Sequence, residues 1–375
     1  MTRGLCAAWL LLIAALPIVV APGAQSPVQS SPEQIVLPLE LIAAEPATLA
    51  VLSPDGRVEA GVKLVLSNGE VVTTDESGRA HFLGPPDAGI LIARIPGTEI
   101  CAAADVLLRA SAEKLETATV PAMVALKDRF TVDGNGFSGD ADRNQVELDG
   151  KPALVLTASP TELVILASSK TAPGSVRLAV KTGANEVSAQ TTLVDVLPDT
   201  THDIVRPGKK GKLVLHVSGT TQPVELDVQN MSPGIVTFKH GDRQHVRTHG
   251  GADNSATVEV KGRRAGDFSY AVTLEPKLGV ANVEAARDFL QAADKLANGD
   301  VKRHIDRILT KLRSGHTDIG GARKEFAKIS TANSASDLQA LIRAAGEALN
   351  GESAVGREEL VRRGRLEGLH QRFGK

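Results

Sequence analysis

Across residues 130–180 the chain runs in short apolar stretches of period two, and a turn residue interrupts each of them. It reads Phe130-Thr131-Val132-Asp133-Gly134-Asn135-Gly136-Phe137, then Asn144-Gln145-Val146-Glu147-Leu148-Asp149-Gly150-Lys151-Pro152-Ala153. Further runs at 154–156, 163–166 and 176–180 are separated by Ser159-Pro160 and Pro173-Gly174. Alternate residues of a strand face opposite sides, so period two buries one face and wets the other. Breaks about every 8–12 residues leave no room for helices and give a small antiparallel sandwich.

The same pattern extends to either side. Residues 47–52, 62–66, 71–74, 80–83 and 90–94 read as strands of a β domain over 34–104. Its turn signals are Ser53-Pro54-Asp55-Gly56, Asn68-Gly69, Glu76-Ser77-Gly78 and Gly84-Pro85-Pro86. Asn68-Gly69 between two apolar runs predicts a type I′ hairpin with positive φ at both residues. Residues 104–118 read as a short strand and linker or as one helical turn. A third β domain is expected over 199–276, from alternation at 212–218, 224–229, 235–238, 256–260 and 269–274.

The period changes after Lys277. Val283, Ala286, Phe289, Leu290, Ala293 and Leu296 follow helical spacing, with Asn282 as N-cap and Asn298-Gly299 as stop. Val301, Ile305, Ile308 and Leu312 predict a second helix capped by Asp300, and Ile319, Ala322, Phe326 and Ile329 a third. Leu338, Leu341, Ile342, Ala345 and Leu349 give a fourth, ending at Asn350-Gly351. Short connections make neighbouring helices antiparallel, so a helical bundle is expected.

Two stretches carry family resemblances. The order Gly134-Asn135-Gly136-Phe137, Gly150-Lys151-Pro152-Ala153, Pro173-Gly174, each between strands, resembles the IPT/TIG family of immunoglobulin-like domains over 120–197. That resemblance implies a tight turn burying the Phe137 ring, in a module that binds or spaces other molecules and has no catalytic machinery. Gly61-Val62-Lys63-Leu64 followed by Thr74-Asp75-Glu76-Ser77-Gly78-Arg79-Ala80-His81-Phe82 is similar to the carboxypeptidase-regulatory, transthyretin-like β-sandwiches. Here the resemblance implies a turn before a core-facing Phe82 in an accessory module. No His-x-x-Glu zinc spacing accompanies it. The expected fold is multidomain and mainly β. Three tandem immunoglobulin-like β-sandwiches over 34–104, 120–197 and 199–276 precede an α-helical bundle with a charged tail over 280–375.

The N-terminus reads as a secretory signal: Arg3, an apolar run over 5–20, then small residues Ala21-Pro22-Gly23-Ala24. Cleavage is expected after Ala24, followed by a polar spacer over 25–33; the competing reading is a retained N-terminal anchor. No later segment approaches the roughly 18 consecutive apolar residues of a membrane span. With Cys6 in the leader, Cys101 stands alone and no intramolecular disulfide forms. Flanked by Ile100, Ala102 and Ala103, it reads as a buried structural thiol. A formal net charge of −2 gives no general attraction to nucleic acid or anionic membrane. Aromatic residues make up only 3% of the chain, which argues against stacking platforms for sugars or single-stranded nucleic acid.

Two constellations could carry chemistry. His240, Asp242, His245 and His249 fall within ten residues and could ligate zinc or another transition metal. Lys239, Arg243 and Arg247 in the same run oppose a cation, and the alternative is a polar loop and edge strand. Asp133, Asn135, Asp140, Asp142 and Asn144 are either an irregular calcium site or turn formers. Gln145 in the place of the loop glycine and Lys151 in the place of the bidentate Glu exclude an EF-hand. Arg357, Arg362, Arg363, Arg365 and Arg372 of the tail could meet anionic lipid, and interspersed Glu residues weaken that reading. No nucleophile elbow, phosphate loop or metalloprotease helix is present. The expectation is a non-enzymatic, exported cell-envelope binding or scaffold protein, without cofactor. It would be secreted, periplasmic or on the cell surface, with a protein or other envelope component as partner and not nucleic acid. The alternative is an accessory subunit of an envelope enzyme or secretion complex, docked through the C-terminal helices.

Overall fold

The computed structural model describes residues 34–351, apart from 54–55, 113, 199–205, 266, 269, 275–279, 314, 316 and 332–333, together with 371–372. The expected leader at 1–24, its spacer and the tail from Glu352 to Leu369 lie outside the described residues. The fold is mainly β, with four α-helices among the described residues.

The first β module contains β1 (Gln34–Val36), β2 (Glu40–Ile42), β3 (Pro46–Leu52), β4 (Lys63–Leu66), β5 (Val71–Thr73), β6 (Arg79–Leu83), β7 (Gly89–Arg94) and β8 (Cys101–Leu107). Its sheets, β1-β3-β6 and β2-β8-β7-β4-β5, enclose Leu41, Leu49, Leu64, Leu91, Phe82 and Val106. The 101–107 stretch is therefore a strand, which settles the reading left open at the start of 104–118. Phe82 follows a turn in which Asp75 Oδ1 accepts from Ser77 N at 2.8 Å and Arg79 N at 3.2 Å. The 68–69 turn differs from expectation. Only Gly69 has positive φ, and four residues separate β4 from β5. Gly69 N donates to Leu66 O, and Glu70 N to Asn68 Oδ1. Asn68 thus braces a longer turn through its side chain instead of adopting the left-handed backbone.

The second module holds β9 (Thr117–Thr119), β10 (Met123–Ala125), β11 (Arg129–Asn135), β12 (Asn144–Leu148), β13 (Lys151–Pro152), β14 (Leu154–Ala158), β15 (Glu162–Leu166), β16 (Gly174–Thr182) and β17 (Asn185–Pro198). Phe130, Phe137, Leu148, Leu163, Ile165 and Leu178 fill its core. Gly136 has φ 82, and a Cβ there would lie 2.3 Å from Lys114 O, so only glycine admits the turn that buries Phe137. The type I′ turn occurs at Asp149-Gly150, where both residues have positive φ and two residues join β12 to β13.

The third module comprises β18 (Lys210–Ser218), β19 (Glu225–Asn230), β20 (Val236–Phe238), β21 (Arg243–Arg247), β22 (Ser255–Gly262), β23 (Asp267–Phe268) and β24 (Tyr270–Leu274). β18-β22-β20 packs across Leu213, Leu215, Val258, Leu226, Phe268 and Tyr270 from β21-β19-β24. The last two rings stack with centroids 5.7 Å apart.

Helices α1 (Val283–Leu296), α2 (Gly299–Lys311), α3 (Ile319–Phe326) and α4 (Ser336–Asn350) follow. Asn282 caps α1 through its side chain, and Gly351, at φ 63, ends α4, as read from the sequence. Asp300 is not a cap: α2 begins at Gly299 with Asn298 before it. Asp300 sits in the first turn, where its charge suits the helix dipole, and pairs with Arg303.

The modules share ladders instead of being strung on linkers. β3 pairs with β14 through Thr48 and Ala158, so one sheet runs β1-β3-β14-β15-β11-β9 from the first module into the second. β17 pairs with β16 along residues 185–193 and with β18 along 195–198, making one strand common to the second and third modules. The bundle returns to the first module. Cys101 and Ala103 of β8 belong to the same core as Phe289, Leu290, Leu341 and Leu349, with Ile90 and Ile92 of β7 packed alongside. Cys101 donates its thiol proton to Ser336 O at 3.0 Å, and burial pushes its pKa up, as suits a structural thiol.

Candidate functional site

The histidine-rich run is split between separate environments. His240 is exposed in the turn after β20. Asp242 accepts from Asn230 Nδ2 at 2.9 Å, which ties it to the end of β19. His245 lies on β21 with Nδ1 4.0 Å from Asp227 Oδ1, and His249, beyond that strand, has Nδ1 2.7 Å from Ser255 O. Among the described residues, one group of three or more His, Cys, Asp or Glu has its ligand atoms within 4.8 Å of one another. It is His81, Asp140 and Asp142, and none of the four belongs to it.

His81 comes from β6, and the two aspartates from the loop and 3₁₀ turn that precede β12. The Thr48 hydroxyl donates to Gly139 O at 2.6 Å, so it accepts from His81 Nδ1 at 3.0 Å and from Ala141 N at 3.2 Å. That leaves the proton of the neutral imidazole on Nδ1. Arg79, also on β6, binds Asp142 Oδ1 at 2.5 Å and Val155 O at 3.2 Å, and Arg143 faces Asp140 at 3.3 Å. Two guanidinium groups thus already meet both carboxylates, and the group works as a clasp across the seam between the first two modules. Gly139 sits in the same seam. A Cβ there would lie 1.7 Å from Pro46 O, so the approach depends on its missing side chain.

A polar region lies where the first module, the second module and the bundle meet. A cleft of about 280 Å³ is lined there by Glu40, Asp133, Glu162, Asn135, Asn282 and Glu347, with Arg109, Thr131 and Thr161 beside them. Each element contributes for a local reason. Asp133 on β11 and Glu162 on β15 are register partners and therefore share one sheet face. Glu40 on β2 is the register partner of Asp105 on β8. Asn282 reaches the cleft because it caps α1, and its amide donates to Glu40 Oε1 at 2.6 Å.

Charge in this region is poorly compensated. Arg109 stands 3.7 Å from Glu40, while Asp133 and Glu162 have no ion-pair partner among the described residues. Glu162 is buried and accepts from Leu39 N at 2.7 Å. Loss of water, then the neighbouring Asp133, hold its pKa well above the carboxylate range. Asp133 opens onto the cleft, yet its walls and the charge of Glu40 raise its pKa as well. Behind Glu40, Asp105 is only 2% exposed, and its Oδ2 has no hydrogen-bond partner. Burial, then Asp288, Glu40 and Glu284, push it up to about 7.

The lining of the cleft offers carboxylate, amide and hydroxyl oxygens and no thiol or imidazole. A second, more open cleft of about 700 Å³ is lined by His216, Asp253, Ser218 and Thr220 together with Leu197 and Val217. Sequence reasoning had Asp133 and Asn135 as calcium candidates but grouped them with Asp140, Asp142 and Asn144. Glu40, Asp105 and Glu162 were missed, because each lies in a different strand, in a run that reads as ordinary β alternation.

Comparison with curated proteins finds no match. Among solved structures, the Escherichia coli adhesin FdeC is 12% identical, with a TM-score of 0.22 over 66% of this chain and 93% of its own. The titin I9–I11 tandem is 13% identical, with a TM-score of 0.20 over 64% and 97%. SGBP-B of Bacteroides ovatus, solved with a mixed-linkage heptasaccharide, is 13% identical, with a TM-score of 0.18 over 66% and 62%. Scores this low carry no functional argument. The family model of the IPT/TIG domain matches residues 117–196, the second β module.

Proposed function

We propose that this chain is an exported, non-enzymatic binding or scaffold protein of a bacterial cell envelope. In this reading three immunoglobulin-like sandwiches hold recognition surfaces at fixed spacing, and the first is an accessory module of the carboxypeptidase-regulatory type. The observation that carries it is the continuity of β17, which ladders with β16 and then with β18. Domains that share a strand cannot reorient as linked domains do, and fixed spacing is what a scaffold requires. The IPT/TIG match adds to this, as does the burial or half-burial of every described aromatic ring. Recognition through polar loops and sheet faces then fits better than stacking on sugars. The apolar faces of α1 and α4 are occupied by each other and by β7 and β8, so the helices act in this reading as a brace and not as a docking groove.

The test is retention from envelope extract on tagged chain running from Gln25 to Lys375. One component held in constant stoichiometry, unchanged in mass and competed by untagged protein, is the expected result. Background equal to the tag alone, or conversion of the retained molecule into product, would overturn the reading.

A further inference from the structure

We infer that the outer face of the sheet β18-β22-β20 is a binding surface for a linear polymer that carries phosphate groups. The inference rests on the binding reading above and gives its partner a chemical class. Leu213, Val258, Val260, Val236 and Phe238 fill the core of the third module, so the residues that alternate with them face outward. Two rows of that face cross all three strands. Lys210, Lys261 and Thr237 are register partners in one row. Lys212 and Glu259 are partners in the next, where Lys239 brings its Nζ within 3.0 Å of Glu259 Oε2. Four exposed lysines thus surround one acid. A hydrogen bond from Lys239 first, then the charges of Lys239, Lys210 and Lys212, hold the Glu259 carboxyl below its usual range. Backbone bonds extend the surface past the strand ends. Gly208 N donates to Gly262 O at 2.9 Å, Gly262 N to Lys209 O at 3.0 Å and Arg263 N to Ile235 O at 2.7 Å. They gather Arg206, Lys209, Arg263 and Arg264, all exposed, at the end of the sheet where Lys210 and Lys261 stand.

Two further observations point to a partner. Lys210 and Lys261 lie directly opposite each other, a pairing of like charges that costs stability unless an anion meets it. Among the described residues, Lys210, Lys212, Lys261, Arg263 and Arg264 have no ion-pair partner. The chain as a whole carries a formal net charge of −2, so this concentration of cations is local and not a share of a basic composition. Lysine meets phosphate as a point charge, and arginine meets it as a two-pronged donor. Neighbouring strands stand about 4.8 Å apart, and alternate residues about 6.8 Å apart along a strand. The cations therefore form a flat grid that one phosphate cannot span and a chain of phosphates can. The two rows expose no apolar or aromatic side chain to enter a bilayer or stack on a base. A flexible polymer read by charge fits this face better than a membrane or single-stranded nucleic acid.

The experiment titrates the untagged chain from Gln25 to Lys375 with linear inorganic polyphosphate by calorimetry, at salt concentrations from about 50 to about 200 mM. Binding is expected at low salt and should fall steeply as salt rises, because bound phosphates release their counterions. Lys210→Gln combined with Lys261→Gln should weaken it at least about tenfold and lower the slope of log affinity against log salt by roughly 1–2. That double variant should melt no lower than the parent, since it relieves the like-charge pair. Lys151→Gln combined with Lys170→Gln, on the second module, should bind as the parent does. Both double variants keep the arginines of the tail, so affinity carried by the tail would survive in the first and contradict the assignment. Absence of binding at about 50 mM salt overturns the inference. So does equal competition by orthophosphate at matched phosphate, or tighter binding of anionic vesicles or single-stranded DNA at matched charge. Retention of another component from extract, without affinity for polyphosphate, would remove this inference and leave the binding reading standing.

Discussion

At the scale of single residues, two positions decide whether the parts meet. Gly139 lets the loop before β12 lie against Pro46, and an added methyl would sit 1.7 Å from the Pro46 carbonyl. Gly139→Ala should therefore cost about 1–3 kcal/mol, as overpacking does, and lower the melting temperature measurably. Asp105 makes the sharper case, because its sign can be worked out. A carboxyl raised to about 7 binds its proton more tightly folded than unfolded, so it stabilises the fold more as pH falls through that value. The protein should melt at a higher temperature at about pH 5.5 than at about pH 8, and Asp105→Asn should flatten that slope. Glu325 works in the opposite sense. Lys328, His304 and Arg307 hold it down to about 2, so its contribution is lost only in stronger acid. The Gly136 turn and its Phe137 ring could be read from the sequence because their cause is local. Gly139 and Asp105 could not, since their cause is a partner strand from another module.

At the scale of elements, local chemistry was a good guide and pairing was not. The caps at Asn282 and Gly351 and most of the strands follow from period and punctuation alone. The type I′ turn was expected at Asn68-Gly69 and occurs at Asp149-Gly150, because loop length, set by the partner strands, selects the turn. What alternation does not encode is which edge each strand finds. β3 joins β14, and β8 turns one face to the helices: Cys101 and Ala103 share the bundle core while Ala104 and Val106 fill the sandwich. A chain ending at Leu274 would uncover Cys101, Ala103, Ile90 and Ile92. Hydrogen exchange in β7 and β8 should then accelerate markedly, and the shortened chain should bind hydrophobic dyes that the full chain excludes. A sandwich independent of the helices would show neither change.

At the scale of the whole molecule, the described residues from Gln34 onward form a set of cores joined by shared sheets and a returning bundle. The acidic cleft exists only because three of those parts meet, so no window of sequence could have disclosed it. Export is a separate claim: sequencing of the mature N-terminus should begin at Gln25, and a chain retaining Met1 would contradict it. The central claim is that the modules act as one framework through shared strands. Hydrogen–deuterium exchange resolved over residues 193–198 and 215–218 tests it most directly. The account predicts that the amides joining β17 to β18 are protected to the same degree as those joining β16 to β17. Exchange at the rate of an open linker over 195–198, with both neighbouring modules still protected, would contradict it.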